Sequence, residues 1–163
     1  MPVKLIKLPV SVLLVVGGLI IVGLSVRIRH VNPAISGDVA APPKIEAILK
    51  RACYDCHSNE THWPWYSYVA PLSWWMERDV ELGRQELNFS EWSSYYPATQ
   101  IRKLQWINRT LHQEHMPPWI YRMLHSQAAL NQSDLMLLQQ WIESRLAAQQ
   151  SQESSNATKE DSQ

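Results

Sequence analysis

The chain begins with a long run of uncharged residues. Residues 8–26 carry no charged side chain, whereas lysines precede the run at positions 4 and 7 and arginines follow it at positions 27 and 29. A helix of about 20 mainly apolar residues is long enough to cross the hydrocarbon core of a bilayer. The pattern predicts one transmembrane anchor over residues 8–26, preceded by a short cytoplasmic segment at residues 1–7.

A cleaved signal peptide is the alternative interpretation of this run. Small residues stand at Gly23 and Ser25, at offsets that suit a cleavage site. However, the run is longer than the usual apolar part of a signal peptide, and arginine follows it directly. These two features favour an anchor that stays attached to the mature chain.

Apolar residues recur at helical spacing through residues 44–147. The stripes predict helices at four places: after Pro43, over residues 74–87 with Ser73 as the cap, after Pro97, and after a cap at Ser133. No stretch shows sustained alternation of apolar and polar residues, so we expect negligible sheet. The predicted fold is all-α, with one small helical domain behind one N-terminal transmembrane helix.

Two segments without such stripes flank this domain. Residues 27–43 contain Pro33, Pro42 and Pro43, and they predict a tether between the anchor and the domain. Residues 148–163 consist largely of Gln, Ser, Asn and charged residues, which bury too little apolar surface to fold. We therefore predict a disordered polar tail at the C-terminus.

The balance of charges argues against a nucleic-acid partner, and the aromatic content is compatible with a large flat ligand. The chain has 15 basic and 15 acidic residues with no basic patch, so we expect no nucleic-acid binding. It also has eight Trp and six Tyr but one Phe, and many of them lie within residues 63–75 and 92–106. Such rings pack well against a large flat ligand, although an ordinary aromatic core would use them too.

The chemistry of the chain is concentrated in Cys53-Tyr-Asp-Cys56-His57, which contains the only two cysteines. A C-x-x-C-H sequence is the attachment site of a c-type haem. In such a site the two thiols add to the two haem vinyl groups, and the histidine that follows binds the iron from one face. The motif therefore predicts one covalently attached haem c, with His57 as an iron ligand.

Other uses of a C-x-x-C pair fit the sequence less well. A zinc site would need a second close pair of ligands, and His112 and His115 are more closely spaced than such pairs usually are. A redox dithiol of the thioredoxin type would need alternating strands and helices around it, which the pattern does not show.

The second axial ligand of the iron is predicted to be Met116. A residue before proline favours an extended backbone, and Met116-Pro117-Pro118 would hold the thioether on a stiff segment. A methionine ligand also raises the reduction potential, as electron transfer requires. The alternative is a second histidine, from His112, His115 or His125, while Met76, Met123 and Met136 lie in helical patterns that indicate packing.

The residues around the motif resemble a known family. The resemblance rests on residues 53–61, 63–67, 70–74, 79–80, 83–84, 87–90 and 92, and it extends through Met116-Pro-Pro118 to the closing helix with Trp141. Over residues 40–147 the chain resembles the bacterial haem-binding domain family of cytochrome c-like proteins. The resemblance implies a single covalent haem on a cytochrome c-like helical domain in the cell envelope, here residues 44–147.

Two functions are compatible with these residues. The first is an electron carrier with His/Met ligation that exchanges single electrons with a redox partner protein that the sequence does not identify. The second is a peroxidase or small-gas sensor with an open distal site, in which His112 or His115 would act on the bound molecule. Because a strong Met116 ligand would block access to the iron, we expect a non-catalytic carrier. Covalent haem attachment takes place outside the cytoplasm, so we expect a single-pass protein of the cytoplasmic (inner) membrane with its haem domain on the periplasmic side.

Overall fold

The structure is a computed structural model that describes residues 9–25 and 30–160. The described chain forms two compact units. The N-terminal unit comprises the residues up to Val31 together with Trp63–Asp79, and the motif unit comprises Asn32–His62 and the residues from Val80 onward. The predicted cytoplasmic segment, residues 1–7, lies outside the described residues.

The described residues are helical, as the sequence predicts. The α-helices are α1 (Val10–Ser25), α2 (Pro43–Ala52), α3 (Tyr54–His57), α4 (Leu72–Glu86), α5 (Pro97–His112), α6 (Trp119–Leu124) and α7 (Gln132–Glu160). Short 3₁₀ turns lie at Trp65–Tyr68, Trp92–Ser94 and Ser126–Ala128. Within residues 9–25 and 30–160, β-pairing is limited to an isolated bridge between Gly37 and Glu91, so the all-α prediction is confirmed.

Helix α1 occupies the centre of the run for which we predict a transmembrane anchor. It covers 16 residues, from Val10 to Ser25, while Leu8 and Val26 lie outside the described residues. Among the helices of the described chain, none combines the length and the apolar character needed to cross a membrane. The transmembrane interpretation of residues 8–26 stays a prediction.

The core of the motif unit lies where α2, α5 and α7 meet. The apolar stripe predicted for α2 is buried, and Leu49 is only 1% exposed. Leu104 of α5 and Leu138 and Ile142 of α7 belong to the same buried cluster. This core places the end of α2, and the cysteine motif that follows it, against the rest of the unit.

Two predicted helix caps are wrong. Helix α4 begins at Leu72, so Ser73 lies inside the helix and its side chain is buried. Helix α7 begins at Gln132, and its first turn is closed by Asn131 and Asp134 rather than by Ser133. The Asp134 carboxylate accepts from the amide of Asn131 at 3.0 Å, and the Asn131 side chain accepts from the amide of Asp134 at 2.9 Å. This reciprocal pair satisfies two backbone donors, which a single serine hydroxyl could not do.

The structure also differs from the sequence prediction at both flanks of the domain. Within the predicted tether, Val39 is buried, and the amides of Ser36 and Gly37 donate to the carbonyl oxygen of Ser90. Residues 32–43 are thus part of the motif unit, because an apolar side chain and backbone bonds fix them there. At the other end, α7 continues to Glu160 through the predicted disordered tail. Once a helix exists, each further residue that takes the helical conformation gains one backbone hydrogen bond. Gln, Ala, Glu and Lys also have high helix propensity.

Candidate functional site

His57 lies at the end of α3 with its side chain oriented by α4. The imidazole is buried, and its Nδ1 atom lies 2.9 Å from the carbonyl oxygen of Gly83 and 3.2 Å from that of Leu87. A carbonyl oxygen only accepts hydrogen bonds, so Nδ1 must carry the proton. In the neutral ring this leaves the lone pair on Nε2, which is the atom available to a metal.

The environment of His57 also favours the neutral form of the ring. Burial lowers the pKa of the imidazole, although the bonds to the Leu87 and Gly83 carbonyls work in the opposite direction. A metal ligand must be unprotonated at the coordinating nitrogen. The site therefore presents an oriented imidazole in a protonation state that can coordinate a metal ion.

Cys53 and Cys56 lie on one turn of backbone before His57. The amides of Cys56 and His57 both donate to the carbonyl oxygen of Cys53, at 3.2 and 2.9 Å. The two sulfurs do not form a disulfide. Burial, followed by the neighbouring Cys56, raises the pKa of the Cys53 thiol to about 12. A redox-active dithiol needs a lowered thiol pKa, so this environment argues against the thioredoxin-type alternative.

Helix α4 passes unusually close to the motif at Gly83. A Cβ atom at this position would lie 2.4 Å from the carbonyl oxygen of Cys56 and 3.2 Å from the Cys56 Cβ. The carbonyl of the same glycine accepts from His57, so Gly83 both allows the close approach and orients the ring. Pattern analysis of the sequence did not identify this role, because nothing in the local sequence shows which residue will contact the motif.

Arg84 ties the chain that follows His57 to α4. Its Nε donates to the carbonyl oxygen of Ser58 at 2.8 Å, and one terminal nitrogen donates to Thr61 Oγ1 and to Asn32 Oδ1, both at 2.9 Å. The guanidinium has donors in a rigid planar arrangement and can hold several acceptors at once. The side chain thereby fixes the segment after the motif in one conformation.

Residues 88–90 hold the motif through a second set of hydrogen bonds. The amide of Phe89 donates to the carbonyl oxygen of His57 at 2.8 Å. Asn88 donates to the side chain of Asn59 at 2.8 Å, and the amide of Asn59 donates to the hydroxyl of Ser90 at 3.0 Å. These buried polar groups satisfy one another, so they stabilise one arrangement around His57.

Asp55, inside the C-x-x-C pair, links the motif to α6. The hydroxyl of Tyr121 donates to Oδ2 of Asp55. The backbone amide of His62 donates to Oδ1 at 2.9 Å, and the ring of His62 lies 3.3 Å from the same oxygen. Because Tyr121 belongs to the helix that follows Met116-Pro117-Pro118, this contact connects that helix to the C-x-x-C-H motif.

One aromatic residue of the stretch 92–106 lies beside the imidazole. The Trp106 ring meets the His57 ring edge-on, with centroids 6.2 Å apart and an angle of 66° between the planes. Other aromatic residues of this unit form the core, including Tyr54 stacked on Phe89 at 5.3 Å. The aromatic content of the unit thus serves the core as well as the site.

Met116 lies in the segment that joins α5 to α6, and its side chain is 38% exposed. Its role as an iron ligand stays a prediction, as does the alternative role of His112, His115 or His125. Met123 and Met136 are 73% and 50% exposed, so the packing interpretation of these two residues is wrong.

Comparison with known proteins matches the chain to a protein family. A protein-family model described as "Haem-binding domain" matches residues 14–144, which is well over half of the chain. The matched span includes Cys53, Cys56, His57 and Met116. No curated protein and no solved structure matches the chain.

Proposed function

The chain belongs to the haem-binding domain family, and we propose that it carries one haem c, attached through Cys53 and Cys56, with His57 as an iron ligand. The observation that carries the proposal is the hydrogen bond from His57 Nδ1 to the carbonyl of Gly83, which leaves Nε2 for the iron. Metal-binding histidines regularly donate their other ring N–H to a carbonyl or carboxylate in this way.

The spacing of the two thiols supports the proposal of covalent attachment. Each thiol would add across one vinyl double bond, forming one C–S bond and one C–H bond, so that no atom leaves. Cys53 and Cys56 would each supply one sulfur and one hydrogen for this addition. Close packing of α4 at Gly83 keeps the short backbone turn between the two cysteines in place.

Single-electron transfer is the function that this site supports best. Haem iron supplies a reversible change between the ferric and ferrous states. The chain contributes a rigid ligand, because His57 is buried and held by two carbonyls, and the loop at residues 88–90 holds its backbone. A ligand that does not move between oxidation states favours rapid electron exchange. Met116 is our proposed second ligand, from the stiff segment before α6.

We further propose that residues 8–26 attach the protein to the cytoplasmic membrane, with the motif unit on the periplasmic side. The uncharged run with basic residues on both sides supports the attachment. The need to attach haem c outside the cytoplasm supports the orientation. The redox partner would then be another protein of the cell envelope.

Haem retention after denaturation tests the central proposal. The full chain, co-expressed with a c-type maturation system, should keep its haem through acidic denaturing extraction, because thioether bonds survive unfolding. Cys53→Ala/Cys56→Ala should lose it, whereas His57→Gln should still retain haem that was attached. Covalent haem on the double variant, or its absence from the unmutated chain, would show that the proposal is wrong.

A further inference from the structure

The N-terminal unit exposes an aromatic segment that has no charge. Residues 63–75 contain four Trp and two Tyr but no Asp, Glu, Lys or Arg. Trp65 is 78% exposed, Tyr68 66% and Trp75 62%. A soluble protein rarely leaves several large aromatic side chains exposed close together unless they contact a partner. We call residues 63–75 the aromatic segment.

The same unit contains the apolar helix α1, and direct contacts connect the two. The His30 ring, just beyond α1, lies 4.4 Å from the Trp63 ring and 4.2 Å from the Tyr68 ring, between centroids. A Cβ atom on Gly23 of α1 would lie 3.7 Å from that of Ala70. The end of α1 is therefore held next to the aromatic segment.

Helix α1 indicates what this unit contacts. The side chains of Val10, Leu14 and Leu19 are 70%, 71% and 67% exposed. The helix contains no charged residue. A helix that is apolar all round belongs either in a protein core or in lipid, and these side chains are not in a core. Lipid is the surrounding that fits such a helix.

We propose that the aromatic segment lies in the headgroup region of a lipid bilayer and contacts the membrane through Trp65, Tyr68 and Trp75. Tyr and Trp are the residues enriched at this depth, because an apolar ring and a polar N–H or O–H suit a boundary between lipid and water. The absence of charge over residues 63–75 avoids the cost of bringing an ion into this region. The inference rests on the proposed membrane attachment through residues 8–26, and it adds a second contact surface to that attachment.

Fluorine NMR of the full chain in vesicles tests the contact directly. The protein is labelled with 5-fluorotryptophan and reconstituted in vesicles of phosphatidylcholine and phosphatidylglycerol, with and without a lipid that carries a nitroxide at headgroup depth. Trp65→Phe, Trp75→Phe and Trp119→Phe identify the three signals by their loss. Trp119 is the matched control, because it is 63% exposed but belongs to the motif unit.

The nitroxide should broaden the Trp65 and Trp75 signals strongly and leave most of the Trp119 signal. Equal broadening of all three signals, or no broadening of Trp65 and Trp75 in protein that sediments with the vesicles, would overturn the inference and leave the anchor intact. Protein that does not sediment with the vesicles at all would refute the attachment itself and this inference with it. An unchanged circular dichroism spectrum establishes that each variant is folded.

Discussion

Gly83 and Cys56 approach so closely that a Cβ atom on Gly83 would lie 2.4 Å from the Cys56 carbonyl oxygen. The obstacle is backbone, which cannot move aside as the end of a flexible side chain can. Gly83 also provides the carbonyl that accepts from His57. Packing of the haem motif and orientation of its imidazole therefore depend on the same position.

Gly83→Ala should destabilise the domain by about 1–3 kcal/mol, the usual cost of forcing extra atoms into a well-packed site. Alanine is the better helix former by about 1 kcal/mol, so destabilisation would show that the contact outweighs helix propensity. Urea unfolding of the full chain measures the change, and the yield of covalent haem should fall with it. Gly17→Ala is the control, because a Cβ there meets nothing within 4 Å. Equal stability of both variants would contradict the close contact.

Met116→Ala tests the second iron ligand. The unmutated ferric protein should show the weak far-red band of iron bonded to a thioether, and the ferrous protein should not bind carbon monoxide. The variant should lose the band, bind carbon monoxide and have a lower reduction potential, because a thioether favours the ferrous state. Met123→Ala, at an exposed methionine, should leave the spectrum unchanged.

Carbon monoxide also separates the two functions considered for the chain. Rapid binding by the unmutated ferrous protein would show an open distal site and refute the carrier proposal. The peroxidase or gas-sensor alternative would then describe the site better, with His112 or His115 as the residue to test next.

Tyr121→Phe tests the link between α6 and the haem motif. The substitution removes the hydroxyl that donates to Asp55, and hydrogen bonds to charged groups contribute about 1.5–3 kcal/mol. We expect a loss of about 2 kcal/mol in the free energy of unfolding, measured in guanidinium chloride. Tyr96→Phe should change little, because Tyr96 is 82% exposed. Matching stability of the two variants would mean that this link contributes nothing.

The sequence was sufficient to predict the features that depend on residues close together in the chain. The stripe at Ile45, Ile48, Leu49 and Ala52 predicts α2, and the motif directly after it identifies His57 as a ligand candidate. The helix prediction works because helical spacing depends on neighbours in the sequence, and the role of His57 as a ligand stays a prediction. The family match over residues 14–144 agrees with the haem interpretation.

The supporting contacts could not be predicted, because they join distant parts of the chain. Gly83 lies 26 residues after His57, Arg84 donates to the residue directly after the motif, and only the packing of α4 determines which carbonyl orients the ring. The predicted cap of α7 was wrong for a different reason. Ser133 and Asn131 are both good capping residues, and the reciprocal bonds with Asp134 decide between them.

Asp134 should make the stability of the domain depend on acid pH. Burial opposes ionisation of its carboxyl, but the Arg51 guanidinium and the amide of Asn131 outweigh it and hold the pKa below the ordinary value. The folded state therefore holds the proton less tightly than the unfolded state. The resulting stability should be fully present above the ordinary pKa of about 3.9 and be lost as the pH falls through the folded-state pKa.

Asp134→Asn removes the charge while keeping an oxygen that can accept from Arg51 and Asn131. At neutral pH it should cost about 1 kcal/mol, the difference between a hydrogen bond to a charged acceptor and one to a neutral acceptor. As the pH falls through the folded-state pKa of the carboxyl, which lies below the ordinary value, the unmutated protein becomes neutral at this position too, so the two unfolding free energies should converge. Glu143→Gln changes an exposed site on the same helix, so the difference between its unfolding free energy and that of the unmutated protein should stay constant over the series. Urea unfolding over an acid pH series measures all three, and a difference that stays constant down to the lowest pH would show that the Asp134 charge does not stabilise the fold.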